Sequence, residues 1–215
     1  YLLSCNCGTI MKIQNRDLPH ENPIFLPRQT ELPMKPANVC VYCGSSDGAD
    51  PTTLAAATRF GTLMAKADVG LVYGGASIGV MGALARAVMA GGGRTLGVIP
   101  EFLSKAEVKM TGLTELVVTQ SMHERKQLMF ERSDAFVALP GGIGTLEELV
   151  EMLTWAQLGR HNHPIIIANL GGFWDPLVTL LDHMIQQKFM HSNIRRFYGV
   201  VDKVEDILPR IEAAL

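Results

Sequence analysis

Residues 134–157 read DAFVALPGGIGTLEELVEMLTWAQ, and this stretch decides the fold. Asp134 to Leu139 is apolar and short, as a buried strand requires. Pro140, Gly141 and Gly142 break it. Gly144 and Thr145 are expected to open a helix whose apolar stripe runs through Leu146, Leu149, Val150, Leu153 and Ala156. A strand, a glycine turn and a helix start together make an anion-binding device. Glycines let a ligand approach the backbone closely, and the first-turn N–H groups point at it.

Glu147 and Glu148 follow the glycines at once and are expected in the first helical turn. Two carboxylates would repel a phosphate lying there. The arrangement suits a ligand with its phosphate at the glycines and a part that becomes cationic beside an acid. A ribose losing its base through an oxocarbenium-like transition state fits. The competing expectation is structural: Thr145-Leu-Glu-Glu148 matches a capping box, in which Thr145 and Glu148 satisfy each other's backbone donors.

Composition narrows the field. The 215 residues are 47% hydrophobic and 19% charged, enough for one domain with a substantial core. A formal net charge of -2 argues against a nucleic-acid or membrane-surface partner. No apolar run approaches the roughly 18 residues of a membrane span. Cys40-Val-Tyr-Cys43 has redox spacing but falls in an expected strand, and Cys5 and Cys7 lie in an atypical head. Buried reduced thiols are the expectation, consistent with a cytoplasmic location. No metal site is expected, since His161 and His163 have no acid or thiol ligand set beside them.

Residues 1–36 carry five of the 11 prolines and no sustained periodicity. They are expected to be a disordered or non-native extension, with Met34 as a candidate start. Residues 37–215 are expected to form a single nucleotide-binding catalytic domain. Apolar strands are expected at Val39–Cys43, Gly70–Tyr73, Arg94–Pro100, Glu115–Thr119, Asp134–Leu139 and His163–Asn169, with a short one near Val200 and Val201. Helical patterns alternate with them. That order predicts a doubly wound parallel sheet, a Rossmann-like three-layer α/β/α fold, with ligands beyond the carboxyl ends of the strands.

Three glycine turns therefore share one rim. Gly44-Ser45-Ser46 offers amides and hydroxyls to a phosphate or ribose, or is an ordinary strand-to-helix turn. Gly74, Gly75, Gly79 and Gly82 lack dinucleotide-fingerprint spacing and either contact a ligand or permit close packing. Gly141, Gly142, Gly144 and Thr145 form the third turn. Ser121-x-x-Glu124 is a capping box that starts a helix from Met122. Arg125 shares the face of Met122 and Met129, where an unpaired charge is costly. It is expected to pair with Glu148 or Glu151, or, with Lys126, to hold an anionic ligand. His123 sits near the same rim and reads as an exposed helical histidine.

VCVYCGSS, VYGGASIGVMG, GVIPEFL, MHERKQLMF and PGGIGTLEE together resemble the Lonely Guy family of cytokinin riboside 5'-monophosphate phosphoribohydrolases. The resemblance runs from about residue 38 to the C-terminus. It implies a homodimer that hydrolyses the N-glycosidic bond of N6-substituted adenosine monophosphates or AMP, without cofactor or metal. By position it implies Arg125 and Glu148 as the catalytic pair. It further implies substrate contacts from Ser45, Gly74, Gly75, Gly79, Gly82, Met122, Lys126, Gly141, Gly142, Gly144 and Thr145. The rival expectations are a nucleotide-sensing module without turnover, a nicotinamide oxidoreductase disfavoured by the glycine spacing, and a lysine decarboxylase lacking a convincing pyridoxal-phosphate lysine.

Overall fold

The computed structural model describes residues 35–104 and 109–215. Expectations for the proline-rich head fall almost wholly outside them. Seven parallel strands form one sheet, in the order β4-β3-β2-β1-β5-β6-β7. They are β1 (Asn38–Tyr42), β2 (Gly70–Tyr73), β3 (Thr95–Pro100), β4 (Glu115–Thr119), β5 (Ala135–Ala138), β6 (Ile165–Ala168) and β7 (Gly199–Val201). Between them run α1 (Pro51–Lys66), α2 (Gly79–Ala90), the short α3 (Glu101–Ser104), α4 (Met122–Glu131), α5 (Ile143–Gln157) and α6 (Asp175–Gln186). α7 (Ile207–Glu212) follows β7.

Side-chain alternation along β1 divides the core. Val39, Val41 and Cys43 face a layer with Phe60 and Met64 of α1, Leu84 of α2 and Ile207 and Ile211 of α7. Cys40 and Tyr42 face the opposite layer, with Met129 of α4, Phe136 of β5, and Leu149 and Met152 of α5. Both faces are thus covered, and the central strands read as continuous apolar runs because neither face meets water. Each fully buried Phe or Leu side chain contributes about 1.5–3 kcal/mol.

Local chemistry sets the remaining details. α1 is started by Asp50, whose Oδ1 accepts from the Thr52 amide at 2.8 Å, with Pro51 in the first turn. Ser121 does cap α4, accepting from the Glu124 amide, but Glu124 reaches back to the amide of Gln120 rather than that of Ser121. The segment after β7 is divided into a 3-10 turn (Val204–Asp206) and α7. Cys40 and Cys43 are buried free thiols, and burial pushes both well above the ordinary thiol range.

The order of strands fixes where a ligand can bind. The chain lays β1 to β4 in one direction, then returns to place β5 on the other side of β1. Crossovers diverge at the carboxyl ends of β1 and β5, leaving a crevice there.

Candidate active site

A cavity of about 350 Å3 occupies that crevice. Its floor is the end of β1, from Tyr42 to Ser45. Gly74 after β2 adds one wall, and Arg125 of α4 with Glu148 of α5 adds another. Met81, Leu103, Met122 and Met129 make an apolar side.

The start of α5 faces this space. Its N-cap is Gly142, in extended backbone, with no side-chain cap. Ile143, Gly144 and Thr145 therefore carry leftover amides, and all three line the cavity. This corrects the capping-box expectation. Thr145 is the third residue of the helix, not its cap, and its hydroxyl packs where a Cβ on Gly141 would sit. Glu147 and Glu148 consequently lie in the second turn. Glu148 is free of any capping role, and its side chain is turned to the cavity.

Arg125 is held from two sides. Its Nε donates to the Val98 carbonyl at 3.1 Å, and its Nη1 lies 3.0 Å from Glu148 Oε1. Both side chains are nearly enclosed, at 11% and 9% exposure. A guanidinium fixed on a strand carbonyl gives the carboxylate a preset partner. Burial still raises the Glu148 carboxyl above its ordinary value; Arg125 opposes this, and neighbouring Glu147 adds to it. Such a group is poised to take a proton nearer to neutrality than a free glutamate.

The expected ligand contacts divide. Ser45, Gly74, Met122, Arg125, Gly142, Gly144, Thr145 and Glu148 line the cavity. Gly75, Gly79, Gly82 and Gly141 lie behind it. Gly79 has φ +61, and a Cβ there would strike the Ser45 backbone, so it lets the β2–α2 turn press on the β1 turn. A Cβ on Gly82 would strike the Ser77 carbonyl, and one on Gly141 would meet the Gly44 amide at 2.8 Å. These glycines shape the site from behind.

Lys126 is the larger departure. Its Nζ lies 2.6 Å from Glu147 Oε1 and 3.0 Å from Glu151 Oε1, and it lines a separate concavity with His123 and Trp155. One step along α4 rotates a side chain by about 100°, which carries residue 126 off the face that residue 125 presents. His161 is also occupied: Nε2 meets the Met152 carbonyl at 3.0 Å and Nδ1 accepts from the His163 amide. Sequence reasoning missed Val41, Tyr42, Cys43, Met81, Leu103 and Ile143, and the Val98 carbonyl. Met81, inside the second glycine turn, was the one with a visible signal.

The family model described as "Possible lysine decarboxylase" matches residues 81–211. Cytokinin riboside 5'-monophosphate phosphoribohydrolase LOG1 of Arabidopsis thaliana is 40% identical over 189 residues, covering 85% of this chain and 89% of its own. The phosphoribohydrolase LOG of Oryza sativa subsp. japonica is 41% identical over 184 residues, covering 82% and 76%. Among solved structures, the Moco carrier protein of Chlamydomonas reinhardtii aligns with a TM-score of 0.62 over 84% of this chain and 98% of its own. Its 19% identity makes that a likeness of fold. The molybdenum cofactor binding protein of Rippkaea orientalis gives 0.58 at 21% identity, over 84% and 97%. With a family model over more than half of its length and about 40% identity to relatives over more than four fifths of it, the chain belongs to the Lonely Guy family, whose matched members are cytokinin riboside 5'-monophosphate phosphoribohydrolases.

Proposed function

We propose that this protein hydrolyses the N-glycosidic bond of cytokinin riboside 5'-monophosphates, and of AMP, to free base and ribose 5-phosphate. The observation that carries the reading is the enclosed Arg125–Glu148 pair beside the uncapped start of α5, both facing one cavity. The substrate phosphate sits on the amides of Ile143, Gly144 and Thr145, as an anion at a helix start does. The base lies along Met81, Leu103, Met122 and Met129, an apolar wall that accepts a prenyl substituent as readily as a bare adenine.

The ribose then spans the gap to Glu148. As the bond from C1' to the base nitrogen breaks, positive charge grows on the sugar and the carboxylate stabilises it. Glu148 also orients the attacking water and takes its proton, while the base leaves with the electron pair and gains a proton in turn. Arg125 stays charged throughout, so its role is electrostatic: it fixes the carboxylate and presents its remaining N–H groups to the ligand.

Two finer statements belong to the same proposal. No helix among the described residues is long and apolar enough to cross a membrane, and buried free thiols suit the cytoplasm. A homodimer is supported by Ile143, Val150 and Leu158. Ile143 and Val150 of α5, and Leu158 just after it, recur at about two-turn spacing and remain 82%, 41% and 69% exposed.

The test is incubation with AMP and with N6-isopentenyl-AMP, followed by chromatography for free base. Release of adenine or isopentenyladenine is the expected result. Tight nucleotide binding without release would instead make the protein a nucleotide-binding module.

A further inference from the structure

We propose that Lys126 is a positioning residue: it clamps Glu147 and Glu151 of α5 and thereby holds Glu148 ionised and aligned on Arg125, rather than contacting the substrate phosphate. The inference rests on the hydrolase reading and concerns the same site.

Consecutive residues of α4 take consecutive faces of α5. Arg125 meets Glu148, while Lys126 meets Glu147 and Glu151, which lie one helical turn apart. The lysine side chain is only 10% exposed, and its two contacts lie at 2.6 and 3.0 Å. A lysine so enclosed and doubly paired has no reach left for a phosphate on the far side of Arg125. The clamp fixes the rotation of α5 about its axis, and that rotation decides whether Glu148 faces the guanidinium.

The charges tell the same story. Arg125 and Lys126 of α4, and Glu147 and Glu151 of α5, all act electrostatically on Glu148. Cys40 and Tyr42 of β1, and Cys43 just beyond it, also feel its charge, and all three are held neutral mainly by burial. Three carboxylates thus share two cations. Glu151 already has one buried oxygen, Oε2, with no hydrogen-bond partner. Burial alone would lower the Lys126 ammonium, but its hydrogen bonds to Glu147 and Glu151 outweigh that and raise it. Removal of this cation leaves three acids to one arginine, and Glu148 is the most enclosed of them.

The experiment compares wild type with Lys126→Met, Glu151→Gln and the double variant, using AMP across pH 5–9. Lys126→Met is expected to lower kcat at least about tenfold at pH 6, to recover toward wild type above pH 8, and to change KM for AMP less than about threefold. The acid limb should move to higher pH in Lys126→Met, to lower pH in Glu151→Gln, and back in the double variant. A KM raised tenfold with the pH profile in place would return Lys126 to the phosphate and overturn the proposal. An unmoved profile in Glu151→Gln would overturn it even if Lys126→Met failed to fold. Carbon-13 titration of the Glu148 carboxyl in the free protein reads the same shifts without turnover. Absence of base release therefore sinks the hydrolase reading alone, and an unshifted Glu148 resonance sinks the clamp alone.

Discussion

Gly74 lacks a side chain where Arg125 needs the space: a Cβ there would lie 2.5 Å from the arginine Nη2 and 2.9 Å from Met81 Sδ. Both atoms end flexible side chains, so Gly74→Ala should fold by displacing them and cost little stability. The guanidinium, however, can move only by leaving Glu148 or the Val98 carbonyl. We expect kcat/KM for base release to fall about 100-fold, since a displacement of about 1 Å in a catalytic constellation has that effect. The melting temperature should stay within about 3 °C of wild type. Undiminished turnover in this variant would show that the position of Arg125 is immaterial.

Replacement of Glu148 by Gln separates chemistry from binding. The amide keeps the shape and can still accept from Arg125, but it neither takes a proton nor offsets a growing positive charge. A loss of about 100- to 10,000-fold in kcat is expected, with AMP still bound.

The same substitution carries a stability signature. The folded carboxyl of Glu148 is raised, chiefly by burial. A raised folded value means that the fold prefers the protonated form. The associated stability is fully present at low pH and is lost as pH rises through the folded value. Glu148→Gln, which never ionises, should therefore melt higher than wild type at pH 7.5, by about 0.5–2 kcal/mol, as expected for removal of a strained active-site charge. The gain should shrink toward pH 4.5, the ordinary carboxyl value. Differential scanning calorimetry at the two pH values checks the sign. By the same reasoning, the acid limb of base release should lie above pH 4.5.

How much of this was legible in the residues depends on which bond carried the signal. The strands could be read because a parallel sheet covered on both faces leaves Val39–Tyr42 and Ile165–Ala168 no polar position. Arg125 could be given an acidic partner, Glu148 or Glu151, because a charge on an apolar helix face must find one, and the structure selects Glu148. The start of α5 could not be placed correctly. A glycine cap gives no side-chain signal, whereas Thr145 and Glu148 mimic a box three residues too late. Nor could Lys126 be told from Arg125. Adjacent letters in a helix point about 100° apart, and only the packing of α5 says which one meets the cavity. The Val98 carbonyl that anchors Arg125 is a backbone atom 27 residues away, without any residue preference.

The contrast between Gly79 and Gly144 tests whether the glycines hold the frame or the ligand. Gly79 has φ +61, and a Cβ would lie 2.5 Å from the Ser46 amide nitrogen. Alanine there combines a left-handed conformation, about 1–2 kcal/mol, with a backbone clash that no rotamer relieves. Gly79→Ala should lower the melting temperature by at least about 4 °C and weaken nucleotide binding only through that damage. Gly144 is the opposite case. Nothing lies within 4 Å of a Cβ at this position, which is the second residue of α5 and lines the cavity. Alanine should strengthen the helix by about 0.5–1 kcal/mol. Its methyl group would nonetheless project into the phosphate seat proposed at these amides, so affinity for AMP should fall about tenfold, measured by calorimetric titration. A Gly144→Ala variant that is both more stable and equally tight for AMP would move the phosphate away from the start of α5 and toward the turn at Gly44 and Ser45.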